Sequence, residues 1–478
     1  VNRSIRFTAV FALLLTLVLL INLTVIQVFR HDEYAANPLN QRNFLETKSI
    51  PRGQITAGGQ VLASSYADEN GLYHRSYEAA PVAFSPVVGY LSDVYGAAGI
   101  ESAYNGVLNG TDATPGRVLD QIIGADPTGN NVELTLVPEV QQVAYEQLVN
   151  NGYEGSVVAM RPSTGEILAM ASSPGYDPNS IVSPQTAQEA WAELNADPGN
   201  PLLNHSTQET LPPGSIFKII TTAAGLEAGY SAQSTLTGAA EITLPNTAQT
   251  LTNYAGQACA GGGDVTLQTA FALSCNTAFV QMGIDVGSDS LRQAAEAFGV
   301  GQTYDLGLPM SPGSLGDLPD DASLGQSAIG QRDVTMSALQ AAVMAATVAN
   351  NGTRMEPHVV SRITAPDLRE LDKIDAKELN QAVSPEIAAQ LTELMRASER
   401  STVGYSGQDI ASKTGTAEHG DGVPPHTWYV AFGPSQGADV AVGVVVKDGG
   451  NQGHSATGGK VASPVGRAVL NAALQAAQ

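Results

Sequence analysis

Three short stretches carry the side chains that could do covalent chemistry. Leu211–Ile220 reads LPPGSIFKII and sets Ser215 three residues before Lys218. Pro-Pro-Gly ahead of an apolar run marks a helix start. The run continues through Thr221, Ala224 and Leu226, so Ser215 is expected in the first helical turn. Side chains at i and i+3 share a helical face, which brings the hydroxyl within reach of the amine. The helix N-terminus favours negative charge on the serine oxygen, and a buried, partly neutral lysine can take its proton. Alone, a Ser–Lys pair at this spacing more often describes a polar helix face than a nucleophile. Two further stretches change that balance: Ser274-Cys275-Asn276 in FALSCNTAF and Lys413-Thr414-Gly415-Thr416 in IASKTGTAE. The patterns S-x-x-K, S-x-N and K-T-G each occur once, in that order.

Several elements must position these residues. Thr266–Gly283 reads as two helical pieces broken at Ser274-Cys275-Asn276, which turns those side chains towards a cleft. Ile410–Glu418, His426–Gly433 and Asp439–Asp448 alternate as three strands with turn residues between them. They are expected to run antiparallel, the first lining the cleft. Gly155–Ser172 reads as two apolar strands joined by a Pro-Ser-Thr-Gly-Glu turn, a hairpin, and Pro51–Ala63 as a second hairpin around Ala57-Gly58-Gly59. Val132–Leu136 is a strand pattern, followed by a helix over Pro138–Asn150 with proline near its first position. Ala328–Gly352 is apolar at helical spacing and stops at Asn350-Asn351-Gly352. Ala462–Ala477 reads as a final amphipathic helix, and His205, in the loop before the serine stretch, as a solvated surface residue.

At 478 residues the chain can hold one large domain and a smaller one. A net charge of −23 argues against a nucleic-acid partner. Two cysteines are too few for a disulfide framework, no His/Cys cluster has metal-ligand spacing, and no metal or cofactor is expected. Phe7–Phe29 carries no charge over 23 residues. As a helix that is about 34 Å, enough to cross a bilayer. A signal peptide would have a shorter apolar core and a small-residue cleavage site, so an uncleaved single-pass anchor is expected. Arg3 and Arg6 precede it while Arg30, Arg42 and Lys48 follow, so charge permits either orientation.

Together the three motifs are the set of the penicillin-recognising serine acyltransferases, and the chain resembles the class B penicillin-binding proteins. The resemblance implies an α/β (α+β) transpeptidase fold: an antiparallel sheet flanked by helices, a small N-terminal β-rich domain and a single transmembrane helix. It divides the chain into a cytoplasmic tail (1–6), an anchor (7–29), a stalk or docking domain (30–130) and a transpeptidase domain (131–478). About 100 residues before the last of these are too few for the glycosyltransferase domain of class A relatives. The implied activity is that of a peptidoglycan D,D-transpeptidase on the outer side of the bacterial cytoplasmic membrane. Its partners would be stem peptides ending in D-Ala-D-Ala, β-lactams, and a membrane glycan polymerase.

The same resemblance distributes the roles. Ser215 is the nucleophile, Lys218 the base, and Lys413 helps keep Lys218 neutral. Ser274 relays a proton, and Asn276 holds Lys218 and the substrate amide. The N–H groups of Ser215 and Thr416 form an oxyanion hole. Lys413 and Thr414 bind the terminal carboxylate, while Gly415 lets substrate lie against the strand. Gly330-Gln331 matches a family signature. Five positions depart from common family residues: Ala57-Gly58 for Asp-Arg, His205 for Arg, Ile216 for Thr and Ser412 for Gly. Outside the membrane thiols oxidise and an even count invites pairing, so a Cys259–Cys275 disulfide is expected, with two buried free thiols as the alternative. A serine β-lactamase or β-lactam sensor shares the three motifs, and a catalytically silent scaffold of the growth or division machinery is the alternative of another class.

Overall fold

The computed structural model describes residues 2–25, 48–111, 128–420 and 422–476. The strands of its two largest sheets are β1 (Ile55–Ala57), β2 (Gln60–Ala67), β3 (Tyr73–Tyr77), β4 (Asn131–Leu134), β5 (Gly155–Met160), β6 (Ile167–Ser173), β7 (Val360–Thr364), β8 (Glu370–Lys373), β9 (Ala411–Ala417), β10 (His426–Gly433) and β11 (Val440–Val446). The helices that bear on the site are α1 (Asn2–Thr24), α2 (Pro138–Val149), α3 (Lys218–Glu227), α4 (Leu267–Ala272), α5 (Asn276–Val286), α6 (Ala338–Ala349), α7 (Pro385–Ser401) and α8 (Ala462–Ala476).

Ile5–Thr24 of α1 has a mean hydropathy of 2.4 over 20 residues, long and apolar enough to cross a membrane. The hydroxyls of Thr16 and Thr24 donate to the carbonyls of Ala12 and Leu20, which satisfies them within the helix. The C-terminal part of the expected anchor, 26–29, lies outside the described residues, as do 30–47 and 112–127 of the expected stalk.

The hairpin β1–β2 turns through Gly58 and Gly59 at φ +53° and +81°. Glycine tolerates this region, which is costly for residues with a Cβ. These strands belong to a six-stranded sheet of order β8-β7-β4-β1-β2-β3, with β1 and β4 parallel. Strands β7 and β8 enter from the far half of the chain, and β7 pairs directly with β4. A sheet therefore continues across the expected domain boundary at 130/131. Beneath it the buried Glu101 carboxylate receives Arg52 Nε at 2.8 Å and also pairs with Arg75. That makes Arg52, of the Pro51-Arg52-Gly53 element, a packing residue.

The central sheet has the order β9-β10-β11-β5-β6, with every pair antiparallel. Strand β11 reads VAVGVVV and is buried along its whole length because helices cover both faces. Ala441 and Val445 join the core that contains α6, while Val442, Val444 and Val446 join the core built with α2 and α8. Between them Gly443 lets α6 approach, since a Cβ there would stand 2.6 Å from Ala338 O.

Helix α6 starts later than its apolar pattern. Gly330 and Arg332 have φ of +71° and +63°, so the segment after Ala328 turns before Ser337 opens a capping box with Gln340. His205 also differs from expectation. It is 2% exposed, with Nδ1 2.9 Å from Glu209 Oε2 and Nε2 3.2 Å from Asn200 O. A loop histidine becomes a core residue here because both ring nitrogens find partners.

Candidate active site

Ser215 does not sit in the first turn of an α-helix. Gly214–Phe217 is a 3-10 turn, and α3 begins at Lys218. Side chains three apart eclipse in a 3-10 turn, so Ser215 and Lys218 still share a face. The turn is clamped from three sides. Gly214 N donates to Gly330 O at 2.9 Å, Trp428 Nε1 donates to Pro212 O at 2.8 Å, and Leu211 exchanges backbone bonds with Met336. Gly330, the family-signature glycine, is needed for this contact: a Cβ there would lie 2.2 Å from Gly214 O. Ile216 is fully buried and packs towards Gly415, leaving the half-buried Ser215 facing the cleft.

The break between α4 and α5 carries the second motif. Ser274 adopts φ +60°, an uncommon conformation for a non-glycine residue. It turns both its carbonyl and its hydroxyl towards Lys218, whose Nζ lies 2.8 Å from Ser274 O and 3.3 Å from Ser274 Oγ. Asn276 Oδ1 accepts from the same amine at 2.8 Å, and its Nδ2 donates to Thr252 O at 3.0 Å. Between these two residues, Cys275 forms a disulfide with Cys259 across Cα atoms 5.8 Å apart. The break is thereby tied to the Gly-rich loop that follows Cys259.

Lys413 on β9 reaches the same point, with Nζ 2.9 Å from Ser274 Oγ. Both lysines are fully buried, Lys218 beside the Phe279 ring and Lys413 beside the Phe271 ring. Burial, reinforced by the charge of Lys413, pushes Lys218 well below the ordinary lysine range. Burial alone pulls Lys413 down to about 7. Two amines share one hydroxyl in a water-poor pocket, the arrangement that favours a neutral amine base. Thr414 and Thr416, on the opposite side of the strand, line the cleft. Gly415 does not: the Cβ it lacks would meet Pro213 O at 2.7 Å and Ile216 Cγ2 at 3.2 Å, so its bare backbone makes room for the serine turn.

The cleft holds about 850 Å³ and is lined by Ser215, Ser274, Asn276, Thr414 and Thr416, among others. A smaller cavity of about 140 Å³ lies in the N-terminal sheet beside Arg52 and Arg75, away from these residues. All three motifs thus converge on the large cleft.

The sequence pattern of the penicillin binding protein transpeptidase domain matches residues 155–471, and that of the penicillin binding protein A dimerisation domain matches 52–132. This chain belongs to the penicillin-binding protein transpeptidase family. The peptidoglycan D,D-transpeptidase PbpA of Mycolicibacterium smegmatis is 46% identical over 489 residues, covering 99% of each chain. Its Mycobacterium tuberculosis counterpart is 44% identical over 488 residues, again covering 99% of each. The structure of M. tuberculosis penicillin-binding protein A as a ceftriaxone acyl-enzyme complex superposes with a TM-score of 0.87 at 44% identity, covering 90% of this chain and 100% of that one.

Ser412 directly precedes Lys413 on β9. Its side chain is buried behind the sheet, where its hydroxyl donates to Glu399 on α7. Tyr429 OH donates to the same carboxylate at 2.9 Å, and Arg467 Nε of α8 at 2.8 Å. No local pattern singles out Glu399, because its partners come from three distant segments. A second group missed in the sequence is His419, His426 and Asp448, whose ligand atoms lie within 4.8 Å of one another. The two imidazoles stack 3.7 Å apart and 4° from parallel, so their lone pairs do not converge on one point. Burial, followed by the charge of His419, pulls His426 down to about 4.

Proposed function

We propose that this chain is a membrane-anchored peptidoglycan D,D-transpeptidase that cross-links stem peptides through an acyl-enzyme on Ser215 and is inhibited covalently by β-lactams. The observation that carries it is the convergence of Ser215, Lys218, Ser274, Asn276 and Lys413 at one cleft. The full-length identity with two PbpA D,D-transpeptidases supports the reading.

Lys218, neutral by burial, takes the proton of Ser215 as its oxygen attacks the carbonyl of the penultimate D-alanine. The N–H groups of Ser215 and Thr416 hold the developing oxyanion, a contribution whose loss typically costs roughly 10²–10³ in rate. The C–N bond breaks, and Ser274 passes a proton from the lysine side to the departing D-alanine amine. Lys413 and Thr414 hold the substrate's terminal carboxylate, with Thr416 completing the strand edge along which the peptide lies; Gly415 contributes from behind by making room for the serine turn. Asn276 fixes Lys218 and binds the substrate amide. An acceptor amine then attacks the ester carbonyl, gives its proton back through Lys218, and frees Ser215.

The layout that fits this function has a short cytoplasmic tail at 1–6, an anchor over 7–29, a docking module over 30–130 and the transpeptidase domain over 131–478 in the extracytoplasmic space. A membrane glycan polymerase would supply the strands to be cross-linked. The test is mass spectrometry after labelling with a fluorescent penicillin. A long-lived adduct on the peptide bearing Ser215, absent in Ser215→Ala, is expected. Full labelling of that variant overturns the assignment, and rapid turnover of the penicillin favours a β-lactamase.

A further inference from the structure

The cleft wall is nearly free of charge. Lys218 and Lys413 lie buried beneath it, and the wall itself is made of Ser, Thr, Asn, Gln, Gly, Ala and a few larger apolar residues. Glu418 is the exception: no other residue of the wall is charged at neutral pH. It directly follows strand β9, the edge strand of the central sheet. Alternation along a strand places every second side chain on one face. Thr414, Thr416 and Glu418 accordingly form a row along the cleft, while Lys413, Gly415 and Ala417 are buried. At about 3.3 Å per residue, Glu418 lies some 13 Å along the row from Thr414. The carboxylate is solvent-exposed, and no hydrogen bond or ion pair engages it among the described residues.

We propose that Glu418 is a specificity-determining residue that binds a primary ammonium group of the stem peptide. The inference rests on the transpeptidase reading above. Cross-linking requires an amine, which arrives from water mostly as an ammonium ion. A lone carboxylate on an otherwise neutral wall concentrates such a cation and not water, the competing nucleophile. It has no function in binding a donor terminus that is itself a carboxylate, and would repel that terminus from this end of the row. The ammonium has two possible sources. It can belong to the acceptor, or to the donor stem, because every stem able to act as acceptor carries the same amine when it acts as donor.

The experiment uses the full chain in detergent and compares wild type with Glu418→Gln and Glu418→Asp. Every rate is divided by the same variant's acylation rate with benzylpenicillin, which bears no amine. In the first arm, an acyl-D-alanyl thioester donor without an amine is offered a D-amino acid acceptor, and the ratio of aminolysis to hydrolysis is measured. In the second, acylation by a lysyl-D-alanyl-D-lactate donor is compared with that by its Nε-acetylated form. An exposed charge pair is worth up to about 1 kcal/mol, so Glu418→Gln should lower one of these ratios about fivefold. Glu418→Asp should recover part of it, and 1 M salt should abolish the difference. A changed first ratio assigns the acceptor amine, and a changed second ratio the donor amine. Both ratios unchanged, with benzylpenicillin still acylating Ser215, overturn the role of Glu418. Absence of Ser215 acylation in the wild type overturns the transpeptidase reading and this inference with it.

Discussion

Lys413 Nζ stands 2.9 Å from the Ser274 hydroxyl, the same oxygen that Lys218 approaches at 3.3 Å. One hydroxyl therefore joins Lys218, proposed as the neutral base, to Lys413, proposed to hold the substrate carboxylate as a cation. Burial lowers both amines, and the charge of Lys413 lowers Lys218 further, so the site is expected to work over a narrow range of pH.

That range is the first prediction. Burial pulls Lys413 down to about 7, so it is expected to lose its charge, and with it the proposed hold on a substrate carboxylate, as pH rises through neutrality. The second-order rate constant for penicillin acylation reports the free enzyme and should fall on the alkaline side with a midpoint near 7. Lys413→Arg keeps its charge and should move that limb above pH 9, even if the plateau is lower. The linkage to stability has the opposite sign. The folded state binds fewer protons than the unfolded state between about 7 and the ordinary lysine value of 10.5, so stability rises with pH across that window. Penicillin acylation kinetics across pH check the first statement, and thermal melts in matched buffers the second.

The second prediction concerns the support behind Lys413. Glu399 is fully buried and pairs with Arg467 while accepting from Ser412 and Tyr429. Glu399→Gln leaves a buried guanidinium without its counter-charge, which typically costs about 3–5 kcal/mol. Ser412→Gly removes one hydrogen bond and should cost about 1 kcal/mol. Adding Arg467→Met to Glu399→Gln should restore part of the loss, because no unpaired charge then remains. Urea unfolding of Glu399→Gln, Ser412→Gly, Arg467→Met and the double variant Glu399→Gln/Arg467→Met measures this. Additive losses would mean that the pair is not coupled.

How far the sequence alone reaches is clear from these residues. Ser215, Lys218, Ser274, Asn276 and Lys413, which the structure brings to one cleft, could be singled out as candidates because each motif is short and each spacing is local. The β5–β6 and β1–β2 hairpins and the β9–β10–β11 run were readable for the same reason: turn residues and alternation lie within a dozen positions. What escaped depends on residues far apart in the chain. The pairing of β7 with β4 joins segments more than 200 residues apart, and no periodicity in either names the other. His205 looked solvated because Glu209 and the backbone of Asn200 close around it only in the folded loop. The 3-10 geometry at Ser215 follows from clamps at Gly330, Met336 and Trp428, none of which is adjacent to it in sequence.

A third prediction addresses the disulfide. The Cys259–Cys275 link holds the turn that presents Ser274 and Asn276 to Lys218. Closing a loop of this length stabilises by about 3 kcal/mol in the chain-entropy model, a small part of what a domain of this size gains from its two cores. Reduction is therefore expected to slow penicillin acylation without unfolding the domain. Alkylation of the native, unreduced protein should leave both cysteines unmodified, and acylation kinetics with and without reductant give the second measurement. Quantitative alkylation before reduction would remove the disulfide. Unchanged kinetics after verified reduction would remove its catalytic role.

The last prediction separates contact from backbone strain at the serine turn. Gly330 has φ +71°, and a Cβ there would stand 2.2 Å from Gly214 O and 2.8 Å from Phe217 Cβ. Both neighbours belong to the turn that carries Ser215, and the Gly214 N–H also depends on Gly330 O at 2.9 Å. Gly330→Ala must push that turn away from its place against β9. A displacement of about 1 Å in a reacting group can cost roughly a hundredfold in rate, so penicillin acylation should fall by about that factor. Gly287 provides the control. It has φ +88° but would bring a Cβ near no other atom within 4 Å, so Gly287→Ala carries the backbone penalty of about 1 kcal/mol without the collision. Both variants should therefore lose stability in thermal melts, but only Gly330→Ala should lose acylation. An equal loss of acylation in Gly287→Ala would show that general destabilisation, and not the position of Ser215, limits the reaction.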